Sequence, residues 1–333
     1  MMTRRPLICL TPVKNESWIL EPFLQAAAAW ADNIIIADQG SDDGSREIAA
    51  RHSKVWLIDN REQRFNEPER QRLLIDAARS RWPDAILIAL DADEMLAPSF
   101  GGPSVRARLA GLPPGTNLRM CWHNVQPGMQ RLWRTPHLRV FGFVDDGTAH
   151  QGMPIHSPRV PLGTQPLADF TETPVYHFQF VDWERMVSKH RWYQCHERVI
   201  GPASSAVAIY RQYHHMHVIP RSWDAEFPAA DLRAFSGQGV ELDGVRFEGV
   251  YRWDAEVLKL FAQHGAAVFR REAIWSADWA AIAQRIPGAG LAVPTDPRRP
   301  IDRWMHAWLS GTQRFRRWVP VWAIDRILGL LWR

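Results

Sequence analysis

Ile86-Leu-Ile-Ala-Leu-Asp-Ala-Asp-Glu94 is the stretch on which the fold turns. Six apolar residues, 85–90, end abruptly at Asp91 and Asp93. A run without polar alternation reads as a strand buried on both faces, the habit of a parallel sheet. Open α/β sheets bind ligands beyond the carboxyl ends of such strands. Carboxylate oxygens at that place suit a divalent cation that carries phosphates. An acidic turn closing a core strand is the other reading, and the stretch alone leaves both open.

Working outward towards the amino end, the same pattern repeats. Leu7-Ile-Cys-Leu10 is a short apolar strand, and Ser17 is placed to cap a helix to about residue 31, with Pro22 near its start. Asn33-Ile-Ile-Ile-Ala37 is a second strand ending at Asp38. Gly40, Asp42, Asp43 and Gly44 then make a turn, and Ser45 caps a short helix. Val55-Trp-Leu-Ile58 is a third strand, and Asn66-Glu-Pro68 opens a helix to about Ser80. The order β-α-β-α-β-α-β predicts a doubly wound, mostly parallel α/β sheet.

Composition sets the bounds. An apolar share of 46% and a charged share of 23% over 333 residues are those of a globular protein with a full core. Cys9, Cys121 and Cys195 match no zinc or redox spacing, which fits a reducing cytoplasm. A net charge of +4 gives little ground for a nucleic-acid partner, and none is expected. No run reaches the about 20 apolar residues of a spanning helix, and no signal peptide is expected.

Towards the carboxyl end the signals thin out. Residues 96–125 read as a loop with a short helix, and 131–180 as short strands and turns. Asp182 caps a helix to about Val199, 220–250 is loop-rich, and a helix is expected from Trp253 to His264. His214, His215 and His217 lack a third well-spaced partner for zinc. Residues 287–300 read as a linker. Many of the seventeen tryptophans fall in this helical, Trp-rich extension. Beyond 300, Ile301, Trp304, Met305, Trp308 and Leu309 keep helical spacing, and an apolar run follows Pro320. Arg303, Arg314, Arg316 and Arg317 flank the aromatic positions, so 301–333 suits peripheral contact with an anionic membrane. Packing on its own domain or on a second subunit is the alternative. The expected division is one domain of two halves, 1–125 on the nucleotide-sugar side and 126–220 on the acceptor side, with 221–333 an accessory region of amphipathic helices.

Four features meet at the carboxyl edge of the predicted sheet. They are Thr11-Pro-Val-Lys-Asn-Glu16, Asp38-Gln-Gly-Ser-Asp-Asp-Gly-Ser45, Arg70 with Arg72, and Asp91-Ala-Asp93. In this order the chain resembles the bacterial family 2 glycosyltransferases of the GT-A fold. The resemblance is close over about the first 95 residues and loose over 130–195. It implies that Thr11, Pro12, Val13 and Glu16 lie along a nucleotide, and that Asp38 accepts hydrogen bonds from its base, favouring a UDP-sugar. It implies that Arg70 or Arg72 approaches the base or diphosphate. Asp91 would face the ribose or a metal-bound water, and Asp93 would hold Mn2+ or Mg2+. His177, in Val175-Tyr-His-Phe178, is implied as a third ligand or a phosphate donor, and Lys189 and Arg191 as helpers of the leaving group.

Arg139-Val-Phe141 resembles a strand that in such relatives precedes a His-Glu pair, whose Glu is a plausible base. Here the counterpart is His156-Ser157, and His150-Gln151 also lacks the acid. Asp146, then Asp145, are the nearest carboxylates and are taken as the candidate base, a polar hairpin turn being the alternative. The expected activity is an inverting, hexosyl-type transfer from a nucleotide-diphosphate sugar to a glycan or glycolipid. It belongs to cell-surface polysaccharide or lipopolysaccharide synthesis, in the cytoplasm or at the inner face of the membrane. Two other readings stand beside it. One is a degenerate relative that binds glycan or membrane without turnover. The other is a nucleotidyltransferase, disfavoured because the loop after the first strand has no Gly.

Overall fold

The computed structural model describes residues 4–62, 64–161, 166–201, 204–247, 249–286 and 293–332. Among these, nine strands form one sheet: β1 Leu7–Val13, β2 Asn33–Asp38, β3 Val55–Asp59, β4 Ile86–Ala89, β5 Glu94–Leu96, β6 Asn117–Val125, β7 Arg131–Val144, β8 Leu167–His177 and β9 Asp224–Glu226. Their order is β3-β2-β1-β4-β7-β6-β8-β5, with β9 on β7. The first four strands are parallel, as the βαβ order requires. β7 then joins β4 antiparallel, with Ile86 opposite Val144 and Ile88 opposite Gly142. Gly142 is needed there: a Cβ would stand 2.7 Å from the carbonyl oxygen of Leu87.

The apolar runs of β1, β2 and β4 are continuous because both faces are covered. Cys9, Ile34, Ile36 and Ile88 pack with Phe23 and Leu24 of the helix Ser17–Trp30. Ile8, Leu10, Ile35 and Leu87 pack with Leu74 and Ile75 of the helix Glu67–Arg81. Asn66 caps that helix by accepting the backbone N–H of Glu69 at 3.3 Å. Ser17 and Ser45 are not caps but first helical residues. The Ser45 hydroxyl oxygen instead accepts the N–H of Glu16 at 2.9 Å, and the hydroxyl donates to Asp43 at 2.6 Å.

Residues 117–177 depart from the loops and short strands expected. β6, β7 and β8 are long and belong to the same sheet as β1–β4. The chain forms two compact units, Met1–Val181 with Trp223–Phe247, and Asp182–Ser222 with Glu248–Arg333. The second unit is helical. Asp182 caps the helix Trp183–Ile200 by accepting the N–H of Arg185 at 2.9 Å. Its core carries buried ion pairs, Arg191–Asp254 at 2.7 Å and Arg198–Glu272 at 2.6 Å, so Arg191 is a structural residue of this unit. His215 and His217 lie on a short 3-10 turn rather than a strand. The linker expected at 287–300 lies outside the described residues over 287–292. Among the described residues, no helix is long and apolar enough to cross a membrane.

Candidate active site

The carboxyl edge of β1, β2 and β4 is built from three loops. Asn15, at φ 56°, turns the chain out of β1. Its amide donates to Asp42 at 2.8 Å and its carbonyl oxygen accepts the N–H of Asp42 at 3.0 Å. The N–H of Ser17 donates to Asp43 at 2.9 Å. Asp42 and Asp43 therefore hold the β1 and β2 loops together.

Asp38 ends β2 opposite Val13 and is 1% exposed. One carboxylate oxygen accepts from the N–H of Gly40 at 3.1 Å, the N–H of Ser41 at 3.0 Å and the Arg46 guanidinium at 2.8 Å. The other oxygen is buried and has no hydrogen-bond partner among the described residues. A buried acceptor without a donor is costly, and a ligand N–H is the kind of group that satisfies it. Arg46 also meets Asp59 at 2.9 Å, which fixes the carboxylate from outside the sheet.

Asp91 and Asp93 follow β4 in a tight turn. The N–H of Glu94 donates to the Asp91 carbonyl at 3.0 Å, and the Glu94 side chain accepts the Asp91 N–H at 3.0 Å. β5 then pairs with β8, which sets His177 opposite Glu94. Asp93 is buried, and its Oδ2 lies 3.7 Å from Nε2 of His177. Nδ1 of His177 is hydrogen-bonded to Asn124 Oδ1 at 2.9 Å, and Nε2 is the ring nitrogen on the side of Asp93. Trp122 stacks on His177 at 4.7 Å between ring centroids and carries the Arg139 guanidinium at 4.8 Å on its ring.

Arg159 enters from the loop after β7. Its guanidinium meets Asp91 at 2.8 Å and contacts both oxygens of Glu94, one of them at 3.1 Å. Burial pushes the Glu94 carboxyl up to about 7; Asp91 and Asp93 add to the rise and Arg159 opposes it. The loop is held by His150, whose Nε2 donates to Pro158 O at 2.7 Å, and by Glu67, which accepts the N–H of Ser157 at 2.7 Å.

Among the described residues, no group of three or more His, Cys, Asp or Glu is placed to hold a metal ion. Asp93 and His177 still form a donor pair suited to a small cation that takes its remaining ligands from phosphates and water. Asp91, expected beside them at the metal, is instead engaged by Arg159. It faces the same edge but through a guanidinium.

The remaining expected residues divide. Thr11 and Val13 turn buried side chains into the sheet, Thr11 with its hydroxyl 3.6 Å from the Cys9 sulfur, while Pro12 is half-buried on the other face. Thr11 and Val13 can therefore line a ligand only through their backbone. Glu16 is half-buried and accepts the indole N–H of Trp18 at 2.7 Å. Arg70 lies over the Phe65 ring at 5.2 Å in the first turn of its helix; Arg72 is exposed. Asp145 and Asp146 are not at this site. β7 runs antiparallel to β4, so its end falls at the opposite edge, where the N–H of Asp145 donates to Ala85 O at 2.9 Å. There Asp145 is clasped by Arg79 at 2.7 Å, and Asp146 accepts the N–H of Thr148 at 3.0 Å. Asp145 is an ion-pair residue and Asp146 accepts within the turn, so the structure sets both candidate bases at the edge away from Asp38 and Asp91. Arg46, Glu94, Trp122, Asn124 and Arg159 are site neighbours that the sequence reading did not single out.

Residues 9–105 match the model of a family described as glycosyl transferase family 2. That span runs from β1 through β5 and contains Asp38, Asp91 and Asp93. The chain is also similar to two solved structures. One is GalNAc-T7 with UDP, GalNAc and Mn2+, at 14% identity over 54% of this chain and a TM-score of 0.38; the match spans 44% of that chain, less than half its length. The other is S. aureus TarS 1–349, at 8% identity over 94% of this chain and 93% of that chain, with a TM-score of 0.39. No curated protein matches the chain in sequence.

Proposed function

We propose that the protein is a glycosyltransferase that takes a sugar from a nucleotide-diphosphate donor. The observation that carries this reading is the pairing of Asp93 with His177 at the sheet edge that also holds Asp38. The family match over 9–105 supports it. β2 and β4 flank β1, so by strand spacing Asp38 and Asp91 stand about 10 Å apart, the reach of a nucleoside. In this reading the orphaned oxygen of Asp38 accepts a base N–H, with a UDP-sugar favoured. Asp93 and His177 hold Mn2+ or Mg2+. Bound there, the cation supplies positive charge opposite the departing diphosphate. Arg159 and Arg139 add fixed positive charge beside the same group, and Trp122 keeps the His177 ring in place.

An inverting transfer needs a base at the acceptor hydroxyl. We assign this to Glu67. Its carboxylate accepts the N–H of Ser157, the position where relatives carry the acid of the His-Glu pair. Only Pro158 separates Ser157 from Arg159, a Cα span of at most about 7 Å, so one short loop meets both Glu67 and, through the Arg159 side chain, Asp91. The acceptor is then a glycan or glycolipid hydroxyl, and the setting is cell-surface polysaccharide or lipopolysaccharide synthesis on the cytoplasmic side of the membrane.

The test is a thermal-shift screen of UDP, GDP, CDP and dTDP, with and without Mn2+, on wild type and Asp93→Ala. Stabilisation by one nucleotide that needs both Mn2+ and Asp93 is the expected result. Glu67→Gln should keep that shift and lose about 10²-fold or more in turnover. No shift with any nucleotide would overturn the donor site and leave a binding protein without turnover as the better account.

A further inference from the structure

The helix Val319–Leu331 is amphipathic in the wrong sense for a water-facing helix. Its inner face is fixed within its own unit. Val321 and Gly329 are buried, Leu328 packs on the cluster of Ala206, Val207 and Tyr210, and Asp325 pairs with Arg211 at 2.8 Å. The end is pinned by Trp332, whose indole N–H donates to Asp302 at 2.7 Å. At 3.6 residues per turn, the opposite arc carries Val319, Trp322, Arg326, Ile327 and Leu330. Val319 is 74% exposed, Leu330 64% and Leu331 78%; Trp322 and Ile327 are also more than half exposed. The reverse distribution, charges outward, is expected of a helix facing water. A contiguous apolar face of this kind marks a docking surface.

The charge around it says what docks. Between 300 and 332 the two acids are withdrawn, Asp302 being buried and Asp325 held by Arg211. The exposed charged residues of that span are Arg303, which meets Asp296 at 3.2 Å, and Arg314, Arg317 and Arg326. Arg326 lies 5.1 Å from the Trp322 ring, so one cation sits within the apolar arc itself. Trp318, 62% exposed, precedes the helix. Tryptophan and arginine with apolar neighbours are the side chains that settle at the boundary of lipid headgroups and acyl chains. A second copy of the chain fits less well, because a two-fold contact sets each patch against its own like-charged counterpart.

We propose that this face lies on an anionic lipid bilayer, with Trp322, Ile327 and Leu330 in the interface and the arginines on the headgroups. The proposal does not rest on the glycosyltransferase reading and is tested without turnover. Full-length protein is floated with vesicles of phosphatidylcholine alone and of phosphatidylcholine with an equal part of phosphatidylglycerol, at low and high salt. Wild type should float with the anionic vesicles, and less at high salt. Trp322→Ser with Ile327→Ser should weaken binding about tenfold or more. Arg314→Gln with Arg317→Gln should cost about fivefold per arginine. Circular dichroism melts confirm that the variants fold, as substitution of exposed side chains predicts. Equal binding to both vesicles, binding to neither, or variants that bind like wild type would overturn the proposal. So would a wild-type dimer that Trp322→Ser with Ile327→Ser makes monomeric while vesicle binding is absent.

Discussion

Arg79 and Arg159 each meet a buried carboxylate at an edge of the same sheet, but Arg79 clasps both oxygens of one carboxylate and Arg159 is shared between two. At the amino edge of β4, Arg79 clasps Asp145 and donates to Thr148 O at 2.8 Å, with Asp76 and Asp146 also acting on its charge. At the carboxyl edge, Arg159 faces Asp91 and Glu94, with Asp93 close behind in the same turn. The Arg79 clasp joins the helix Glu67–Arg81 to the end of β7. Groups whose pKa is shifted by burial and by neighbouring charges cluster at functional sites, and Glu94 at the other edge is such a group. On the function proposed above, the difference separates a structural edge from a binding edge, although both read as acid at the end of an apolar strand.

The largest effect that sharpens this comparison is expected at Arg159. Arg159→Met leaves the buried Glu94 carboxylate without its guanidinium, and breaking such a pair costs about 3–5 kcal/mol. The loss should depend on pH. The Glu94 carboxyl titrates near 7 in the fold, above the usual carboxylate value, because burial disfavours its charged form. A raised carboxyl binds more protons folded than unfolded, so stability falls as pH rises from about 4.5 towards 7. Removing the opposing arginine raises the folded value further. Arg159→Met should therefore be less destabilised at about pH 5 than at about pH 8 in urea unfolding, and Glu94→Gln in that background should restore most of the loss. A variant equally destabilised at both pH values would show that Glu94 is not the group Arg159 neutralises.

The two edges also explain what could be read in advance. β1, β2 and β4 announce themselves because both faces are covered, which forbids polar alternation and leaves Asp38 and Asp91 as sharp ends. β7 has little such cover along its first ten residues, where, apart from buried Leu132, exposed positions alternate irregularly with half-buried ones, and it reads as short strands and turns. Its last four residues, Phe141 to Val144, are apolar and end at Asp145, much as β4 ends before Asp91. Nothing in that local pattern states that β7 runs antiparallel. Direction is a property of the pairing with β4, and it sends Asp145 to the opposite edge. Arg159 and Glu67 escape for a related reason. They meet the site through one loop that has no period to read, held by contacts 65 to 90 residues apart in sequence.

A middle-sized effect is expected at Asp38. Its orphaned oxygen is the feature that distinguishes it from Asp145, whose two oxygens both accept from Arg79. Asp38→Ala should weaken nucleotide binding by about 1.5–3 kcal/mol, the value of a hydrogen bond to a charged group. The measurement is a titration with the nucleotide that stabilises wild type. Unchanged affinity would mean that the base lies elsewhere and that the orphan belongs to the fold.

The smallest effect on turnover, and the most discriminating, is expected at Asp145. Asp145→Asn keeps the size of the side chain and loses the charge opposite Arg79. Arg79 is only about a quarter exposed, so the change should cost about 1–3 kcal/mol of stability. Turnover per folded molecule should stay within about twofold, because the general-base contribution of about 10²–10⁴ is lost only when the base itself is removed. Unfolding curves and initial rates on the same preparation separate the two quantities. A variant as stable as wild type but slowed a hundredfold or more would place the base at the Arg79 edge after all. The distinction between an arginine that clasps one carboxylate and one shared between two would then fail as a guide to where this protein does its chemistry.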